Sequence, residues 1–448
     1  MPTRQPPRLK AGLKLCCPLV EGATAIDTDD TDEVCVIRPV RADSRERPTP
    51  SMGLLGKQIM PQALEFFDST SIDPGSKGFS GAVFDGRYLY FVPMMNGHHQ
   101  FSGQVTRYDT QGDFTDPTHW TVFNTATVNP NSRGFTNGFF DGRYLYMIPW
   151  HHDRHHGQVT RLDTQQDFHH PNAWDFFDLQ KSISTARGFV SGCYDGRYLY
   201  LAPSYLEWNV YHGTMVRYDT TAPFFSTDSW EAFDSQSLSP LCRGFHSAVA
   251  SNDFIYFVPY VRENRDYHGL LVRYQRSGRF SDPASWQRVD LKTLNPRGCG
   301  FVGGCHDGPY LYLAPYFDGK GRFGQVARYD STKPLDDADA WQFFDTVLVH
   351  PDSRGFFGAL IHSGFVYFIP HCKAEGIYHG QITRYDQSKP FLDPTAWSVL
   401  DTAIDHPMSK GYIGGTVLGD FLYMAPYETA PAVHSGLIAK VNLNLFLP

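Results

Sequence analysis

Long hydrophobic runs and an excess of basic residues are both missing from this sequence. No apolar stretch approaches the roughly 18–20 residues that a membrane-spanning helix needs, so we expect a soluble protein with no membrane partner. The 39 Lys and Arg residues are outnumbered by 47 Asp and Glu residues, for a formal net charge of −8. Without an overall basic field, nucleic acid is not an expected partner either.

Cysteine is scarce and irregularly placed. The eight cysteines show no regular paired spacing, and Cys193 and Cys305 occupy the same position in two sequence repeats that are not neighbours. A disulfide framework is therefore not expected, and reduced, buried thiols are the plainer interpretation. The stretch 13–25 is a poor signal peptide because Pro18 and Glu21 interrupt its apolar part, which favours a cytoplasmic location.

Turn-forming and aromatic residues are abundant. The chain has 40 Gly and 31 Pro, aromatic residues make up 15% of it, and hydrophobic residues 41%. This composition is typical of an all-β protein, in which many turns join short strands around an apolar core.

The ten residues FDGRYLYFVP recur with small changes along the chain. In the first repeat, a Gly-aromatic start (78–84), an Asp-Gly turn and runs at 87–92, 103–109 and 120–123 predict four short strands. Four strands repeated seven times predict a seven-bladed β-propeller of four-stranded blades over residues 61–448. The final prolines mark repeats 54 to 56 residues apart: Pro93, Pro149, Pro203, Pro259, Pro315, Pro370 and Pro426.

The seventh repeat lacks a fourth strand, because the chain ends six residues after its third strand at 436–442. Near the start, residues 62–73 match residues 172–184, which hold a fourth strand and its outgoing loop. We therefore predict that an N-terminal strand completes the last blade and closes the ring. Residues 1–60 lack sustained periodicity and are predicted to be a disordered extension.

A tryptophan opens the predicted fourth strand in six repeats. The regular period predicts packing between neighbouring blades rather than contact with a ligand. The six residues are Trp120, Trp174, Trp230, Trp286, Trp341 and Trp397, and Leu64 takes the equivalent position in the seventh repeat.

The order of LYFVP, VTRYD and a following tryptophan resembles the kelch-type propellers across residues 62–448. Kelch repeats carry a Gly pair where this chain has Pro93 and its equivalents. The resemblance implies a propeller, and because kelch propellers include both enzymes and partner-binding scaffolds, it leaves the function open.

Two loops of each blade are predicted to share one face of the ring, here called the loop face: the loop that enters the innermost strand and the loop between strands two and three. The latter differs in every repeat, whereas the turns of the opposite, Asp-Gly face are monotonous. Variation from blade to blade is what a binding face needs, so we expect any ligand on the loop face.

A basic residue precedes the innermost strand in six repeats, and Cys299 takes its place in the fifth, two residues after Arg297. These cations are predicted to surround the mouth of the central channel, where they would meet an anionic ligand. The alternative is that each one pairs with a carbonyl or an acid of a neighbouring blade. The candidates are Lys77, Arg133, Arg187, Arg243, Arg354 and Lys410.

Aromatic residues and histidines complete the candidate ligand-binding set in the same loops. Exposed aromatic rings would stack on sugars, although such residues also simply fill a rim. The run HHDRHH at 151–156 is a weak metal candidate as a loop of exposed histidines, and we expect no metal and no cofactor. The aromatic candidates are Trp150, Trp208, Tyr260 and Tyr316, and the histidines are His156, His212, His268, His371 and His379.

These patterns favour a monomeric propeller that binds a carbohydrate or another anionic polyol on the loop face. One alternative is a polysaccharide lyase acting on uronate-containing glycans, in which an arginine neutralises the carboxylate and a His or Tyr removes the C5 proton. A protein-interaction scaffold is the other alternative. The residue types for a lyase occur in blade two (Arg133, Trp150, His156) and blade four (Arg243, Tyr260, His268).

Overall fold

The computed structural model describes residues 64–446, and within that range they form an all-β, seven-bladed propeller whose only helical elements are short 3₁₀ turns. The predicted fold class is confirmed. The prediction of disorder for residues 1–60 lies outside the described residues.

Each blade is an antiparallel sheet of four strands, called innermost, second, third and outer. Blades one to seven comprise Phe79–Phe84, Tyr88–Pro93, Gln104–Asp109 and Trp120–Asn124; Phe135–Phe140, Tyr144–Pro149, Gln158–Asp163 and Trp174–Asp178; Phe189–Tyr194, Tyr198–Pro203, Thr214–Asp219 and Trp230–Asp234; Phe245–Ala250, Phe254–Pro259, Leu270–Gln275 and Trp286–Asp290; Phe301–Asp307, Tyr310–Pro315, Gln325–Asp330 and Trp341–Asp345; Phe356–His362, Phe365–Pro370, Gln381–Asp386 and Trp397–Asp401; Tyr412–Leu418, Phe421–Pro426, Leu437–Asn442 and Leu64–Asp68.

The loop between the second and third strands forms a small hairpin of its own in five blades. These hairpins lie on the loop face, above the ends of the main strands. Their paired segments are Met95–Gly97 with Gln100–Phe101, Tyr205–Glu207 with Val210–Tyr211, Val261–Arg262 with Asp266–Tyr267, Cys372–Ala374 with Ile377–Tyr378, and Glu428–Ala430 with Val433–His434.

The strand Leu64–Asp68 completes blade seven. It pairs antiparallel with the third strand, Leu64 opposite Val441 and Asp68 opposite Leu437. Lys440 Nζ lies 2.7 Å from Glu65 Oε1 across the same pair. The predicted closure of the ring by an N-terminal strand is therefore present, and the third strand of blade seven is paired on both sides.

The periodic tryptophans pack between blades. Trp174 stacks on Phe123 of the preceding blade with ring centroids 5.3 Å apart, and its Nε1 donates to the carbonyl of Phe168. All six are at most 6% exposed. The prediction of a structural role is confirmed, and the equivalent stacked pairs are Phe67–Trp120, Phe177–Trp230, Phe233–Trp286 and Phe344–Trp397.

The Asp-Gly turns explain why the sequence repeats DGRYLY. The carboxylate of Asp141 accepts the backbone N–H groups of Arg143 and Tyr144 through Oδ1 and the hydroxyl of Tyr146 through Oδ2, at 2.7–2.8 Å. One side chain therefore fixes both the turn and the strand that follows. The same three bonds recur at Asp85 and Asp195.

Within residues 64–446, no helix is long and apolar enough to cross a membrane. The same part of the chain holds five unbonded cysteines, all buried or half-buried: Cys193, Cys242, Cys299, Cys305 and Cys372.

Candidate functional site

A glycine directly before each innermost strand fixes the backbone of the loop face. Gly134 has a φ of +71°, and its N–H donates to the carbonyl of Ser102 in the preceding blade. A Cβ on Gly134 would stand 1.7 Å from the carbonyl oxygen of His151, so only glycine fits. The equivalent residues, all with positive φ, are Gly78, Gly188, Gly244, Gly300, Gly355 and Gly411.

The four histidines before strand three bond to this backbone. Nε2 of His156 lies 3.1 Å from the carbonyl of Arg133, and Nδ1 accepts the N–H of Gln158. Nε2 of His212, His268 and His379 makes the equivalent contact with a backbone carbonyl. All four are at most 5% exposed, and burial lowers the pKa of His212 and His268 to about 3. Rings held in this way brace the loops, and their ligand-binding role stays a prediction.

The predicted basic set lies beside the loops between strands two and three. Arg133 pairs with Asp153 at 2.7 Å and Arg243 with Glu263 at 2.9 Å. In blade five, Arg297 takes this role and contacts Asp318 at 3.1 Å. Acids of the same blade neutralise these three cations, whereas the structural alternative predicted partners in a neighbouring blade.

Arg187 differs from those three arginines. Its Nε donates to the carbonyl of Leu206 at 3.1 Å, and among the described residues it makes no ion pair within 4.0 Å. Lys77, Arg354 and Lys410 also lack such a pair within the described range, and all four are half-buried.

The aromatic candidates next to the anchoring prolines are not exposed. Trp150, Tyr260, Tyr316 and His371 are at most 3% exposed, because the loops of their own and neighbouring blades cover them. Tyr316 lies 6.3 Å from Tyr260 and 5.8 Å from His371, ring to ring, in a layer beneath the loop face. The expected exposed rim is therefore not formed by these residues.

The four histidines of the run HHDRHH are buried, whereas Asp153 and Arg154 between them are exposed. His151 and His155 form an antiparallel bridge with ring centroids 4.6 Å apart, and burial lowers their pKa values to about 4 and about 2. His152 is 7% exposed. Residues 64–446 contain no group of three or more His, Cys, Asp or Glu side chains that could hold a metal ion.

Trp208 is the aromatic candidate that reaches solvent. Its half-buried ring lies 4.8 Å from His155, 5.0 Å from His151 and 5.6 Å from Tyr205, centroid to centroid. Trp150 meets it edge-on at 6.2 Å. Several rings therefore hold the indole in one orientation, so little side-chain entropy is left to lose on binding.

Sequence reasoning missed a buried carboxyl on the loop face. Glu428 is 1% exposed, accepts the hydroxyl of Tyr378 at 2.5 Å and lies 3.6 Å from His434 Nδ1. Burial raises its pKa to about 7. The sequence does distinguish this residue, because Glu428 is the only carboxylate at the second position after any of the seven anchoring prolines.

Comparison with known proteins identifies no family. No protein-family model and no curated protein matches the sequence. One similar solved structure is PorZ, described as an essential bacterial surface component of the type-IX secretion system of Porphyromonas gingivalis, with 10% identity and a TM-score of 0.48. The alignment covers 82% of this chain and 37% of that one.

A second similar structure is the computationally designed protein Ika8, with 8% identity and a TM-score of 0.42, covering 82% of this chain and 96% of the designed one. Neither likeness bears on a ligand.

Proposed function

We propose that the protein is a ligand-binding propeller whose site lies around Trp208 on the loop face, and that it binds an acidic carbohydrate or another anionic polyol. One observation carries the proposal: a half-buried indole held by surrounding rings stands in the loop that Arg187 contacts, and that guanidinium has no carboxylate partner among the described residues.

The chemistry of the two groups is complementary to an acidic sugar. An indole face packs against the C–H face of a pyranose ring, and a guanidinium makes two parallel hydrogen bonds to a carboxylate. Arg133 and Arg243 are less suited because each already contacts an acid of its own blade.

The first test is binding of the purified protein to an array of neutral and acidic glycans at low and physiological salt. Trp208→Ala should weaken binding of the best ligand roughly two- to tenfold, because an aromatic stacking contact contributes about 0.5–1.5 kcal/mol. Phe225→Ala is the control, since that ring is 60% exposed but lies in a loop at the Asp-Gly face. An equal loss of affinity in both variants, or no binding to any glycan on the array, would contradict the proposal.

The charge requirement is tested separately. Arg187→Gln should lower affinity for uronate-containing glycans several-fold and remove the salt dependence, while neutral glycans are unaffected. Arg243→Gln is the matched control and should have the smaller effect, because Glu263 already pairs with that guanidinium. If Arg243→Gln lowers the affinity for uronate-containing glycans more than Arg187→Gln does, the ligand does not bind beside Arg187.

The lyase alternative has less support in the two blades that hold its residue types. His156 and His268 each contact a backbone carbonyl with Nε2 and accept an N–H with Nδ1, so neither ring has a free lone pair to remove a proton. A protein scaffold becomes the better hypothesis if no glycan binds. Membership of the kelch-type group stays a hypothesis that rests on the order of the repeat residues.

A further inference from the structure

The small hairpins of blades six, seven and one form one continuous part of the loop face. Tyr378 of the blade-six hairpin donates its hydroxyl to Glu428 of the blade-seven hairpin at 2.5 Å. The hydroxyl of Tyr427, beside Glu428, donates to Sδ of Met95 in the blade-one hairpin at 3.5 Å. We define the basic hairpin surface as these hairpins and the basic residue before each innermost strand, which are residues 372–378, 428–434 and 95–101 with Arg354, Lys410 and Lys77.

The sequence of this surface lacks the acid that pairs with the basic residue in other blades. In blade two, Asp153 is the fourth residue after the anchoring proline and pairs with Arg133. The same position holds Glu263 in blade four, where it pairs with Arg243. In blades six, seven and one the position holds small neutral residues, which are Ala374, Ala430 and Gly97. Three neighbouring blades have therefore lost the same acidic partner.

The three cations of the surface are accordingly not neutralised by the described chain. Arg354, Lys410 and Lys77 make no ion pair within 4.0 Å among residues 64–446. Nε of Arg354 is buried and has no hydrogen-bond partner in the same part of the chain. The hairpins themselves hold two acids, of which Glu428 is buried and Glu375 is exposed. Unpaired cations are therefore in excess, which favours an anionic partner.

Apolar side chains are exposed at the tips of the same hairpins. Ile377 and Val433 are each 51% exposed, and Pro431 and Ala432 are exposed as well. A Cβ on Gly376 would lie 3.3 Å from Cγ of Pro431, so the tips of blades six and seven are direct neighbours. An exposed apolar patch beside unpaired charges is typical of an interaction surface.

We propose that the basic hairpin surface docks an acidic protein segment that carries apolar side chains. Carboxylates of the segment meet Arg354, Lys410 and Lys77, and opposite charge selects the partner and speeds the encounter. Apolar side chains of the segment cover the exposed hairpin tips, and this burial supplies affinity.

A protein segment fits this surface better than a membrane does. The exposed carboxylate of Glu375 lies two residues before Ile377, where it would meet the anionic headgroups of a bilayer. The surface is also separate from the proposed glycan site, because Trp208 belongs to blade three.

Fluorescence anisotropy with a labelled peptide of alternating Glu and Leu tests the proposal. The wild type should bind this peptide, and more weakly as salt is raised. Two matched peptides carry Lys in place of Glu or Ser in place of Leu. Each should bind at least about tenfold more weakly, because the first has the wrong charge and the second has no apolar side chain to bury.

The cations are tested by the double variant Lys77→Gln, Lys410→Gln. It should bind the Glu–Leu peptide about fivefold more weakly or worse. The matched control Lys181→Gln, Lys320→Gln removes the same charge from exposed loop-face positions outside this surface, and it should change the affinity less than about twofold.

The apolar tips are tested by Ile377→Ser, Val433→Ser, which should lower the affinity for the Glu–Leu peptide about tenfold. Both residues are exposed, so the variant should keep its fold, which circular dichroism checks. Trp208→Ala should bind this peptide as the wild type does, so a failure of the glycan site and a failure of this surface are distinguishable.

Three results would each overturn the proposal: no binding of the Glu–Leu peptide, equal losses in the two lysine double variants, or equal affinity for the Glu–Ser peptide. Cosedimentation with vesicles of phosphatidylcholine and phosphatidylserine is the last comparison. Binding to these vesicles without binding to the Glu–Leu peptide would assign the surface to a membrane and overturn the proposal as well.

Discussion

The two faces of the propeller are held together by different kinds of repeated hydrogen bond. On the Asp-Gly face a side chain makes the repeated bonds, as Asp141 does with two backbone N–H groups and a tyrosine hydroxyl. On the loop face, bonds between backbone atoms recur in every blade, as in Gly134 N–H to the carbonyl of Ser102, and in four blades a histidine adds a bond to a carbonyl. Loops fixed by backbone and glycine leave most of their side chains free to differ, whereas a turn fixed by a carboxylate loses bonds when that residue changes, as it does at Ser251 in blade four.

The largest expected effect comes from a matched pair of glycines in blade two. Gly134→Ala places a Cβ 1.7 Å from the His151 carbonyl oxygen, whereas a Cβ on Gly142 meets nothing within 4 Å. We expect a loss of roughly 3–5 kcal/mol for Gly134→Ala and about 1–3 kcal/mol for Gly142→Ala, whose φ is +105°. Urea unfolding measures both, and equal losses would contradict the contrast between the faces.

The next largest effect concerns Glu428, a side chain of the variable loop face, and its contribution to the free energy of unfolding. The pKa of Glu428 is raised by burial from 4.5 to about 7, so its contribution to stability is full below pH 4.5 and is lost as pH rises through 7. Glu428→Gln keeps an acceptor for Tyr378 and removes the charge. Above pH 7 the variant should be more stable than the wild type by on the order of 2 kcal/mol.

The nearby His434 titrates in the opposite sense, because burial lowers its pKa to about 4. Both proteins contain His434, so the difference between their unfolding free energies from pH 4.5 to 8 reports the titration of Glu428 together with its 3.6 Å contact to His434. A difference that does not change with pH would show that the carboxyl is not buried in the way described.

The smallest effect sharpens the account of the Asp-Gly face. Tyr146→Phe removes the 2.7 Å bond to Asp141 Oδ2 and should cost about 1 kcal/mol. In blade four Ser251 replaces the aspartate, and the hydroxyl of Tyr256 has no partner among the described residues. Tyr256→Phe should therefore change stability by less than about 0.5 kcal/mol. Thermal unfolding of both variants measures the two changes in melting temperature. Equal changes would mean that the bond between Tyr146 and Asp141 does not contribute to stability.

The repeat allowed much of the fold to be predicted because its determinants are local. An Asp-Gly turn, a proline after the second strand and a tryptophan at the start of the outer strand each act within one blade or on its direct neighbour. The missing fourth strand of blade seven was equally visible, since residues 62–73 match residues 172–184, which hold a fourth strand and its outgoing loop.

The loop face could be predicted only in part, because burial there depends on contacts between loops of different blades. Trp150 and His151 have the composition of an exposed loop, yet Trp208 of the next blade packs on both. The position of Trp208 outside the periodic series did single it out. The register shifts in the innermost strands, between Phe135 and Gly138 and between Phe189 and Gly192, have no signal in a hydrophobic pattern, because a one-residue shift leaves composition unchanged.

The strand pair that closes blade seven also sets the order in which the protein can be completed during synthesis. Leu64–Asp68 leaves the ribosome before any other described strand, but its partner Leu437–Asn442 leaves last. Until then the growing arc has an open edge at each end, and closing it brings together segments separated by almost the whole chain, which is entropically costly and slow. A ribosome stalled within the seventh repeat would thus hold a nascent chain with two unpaired edges, a species prone to pairing with other chains.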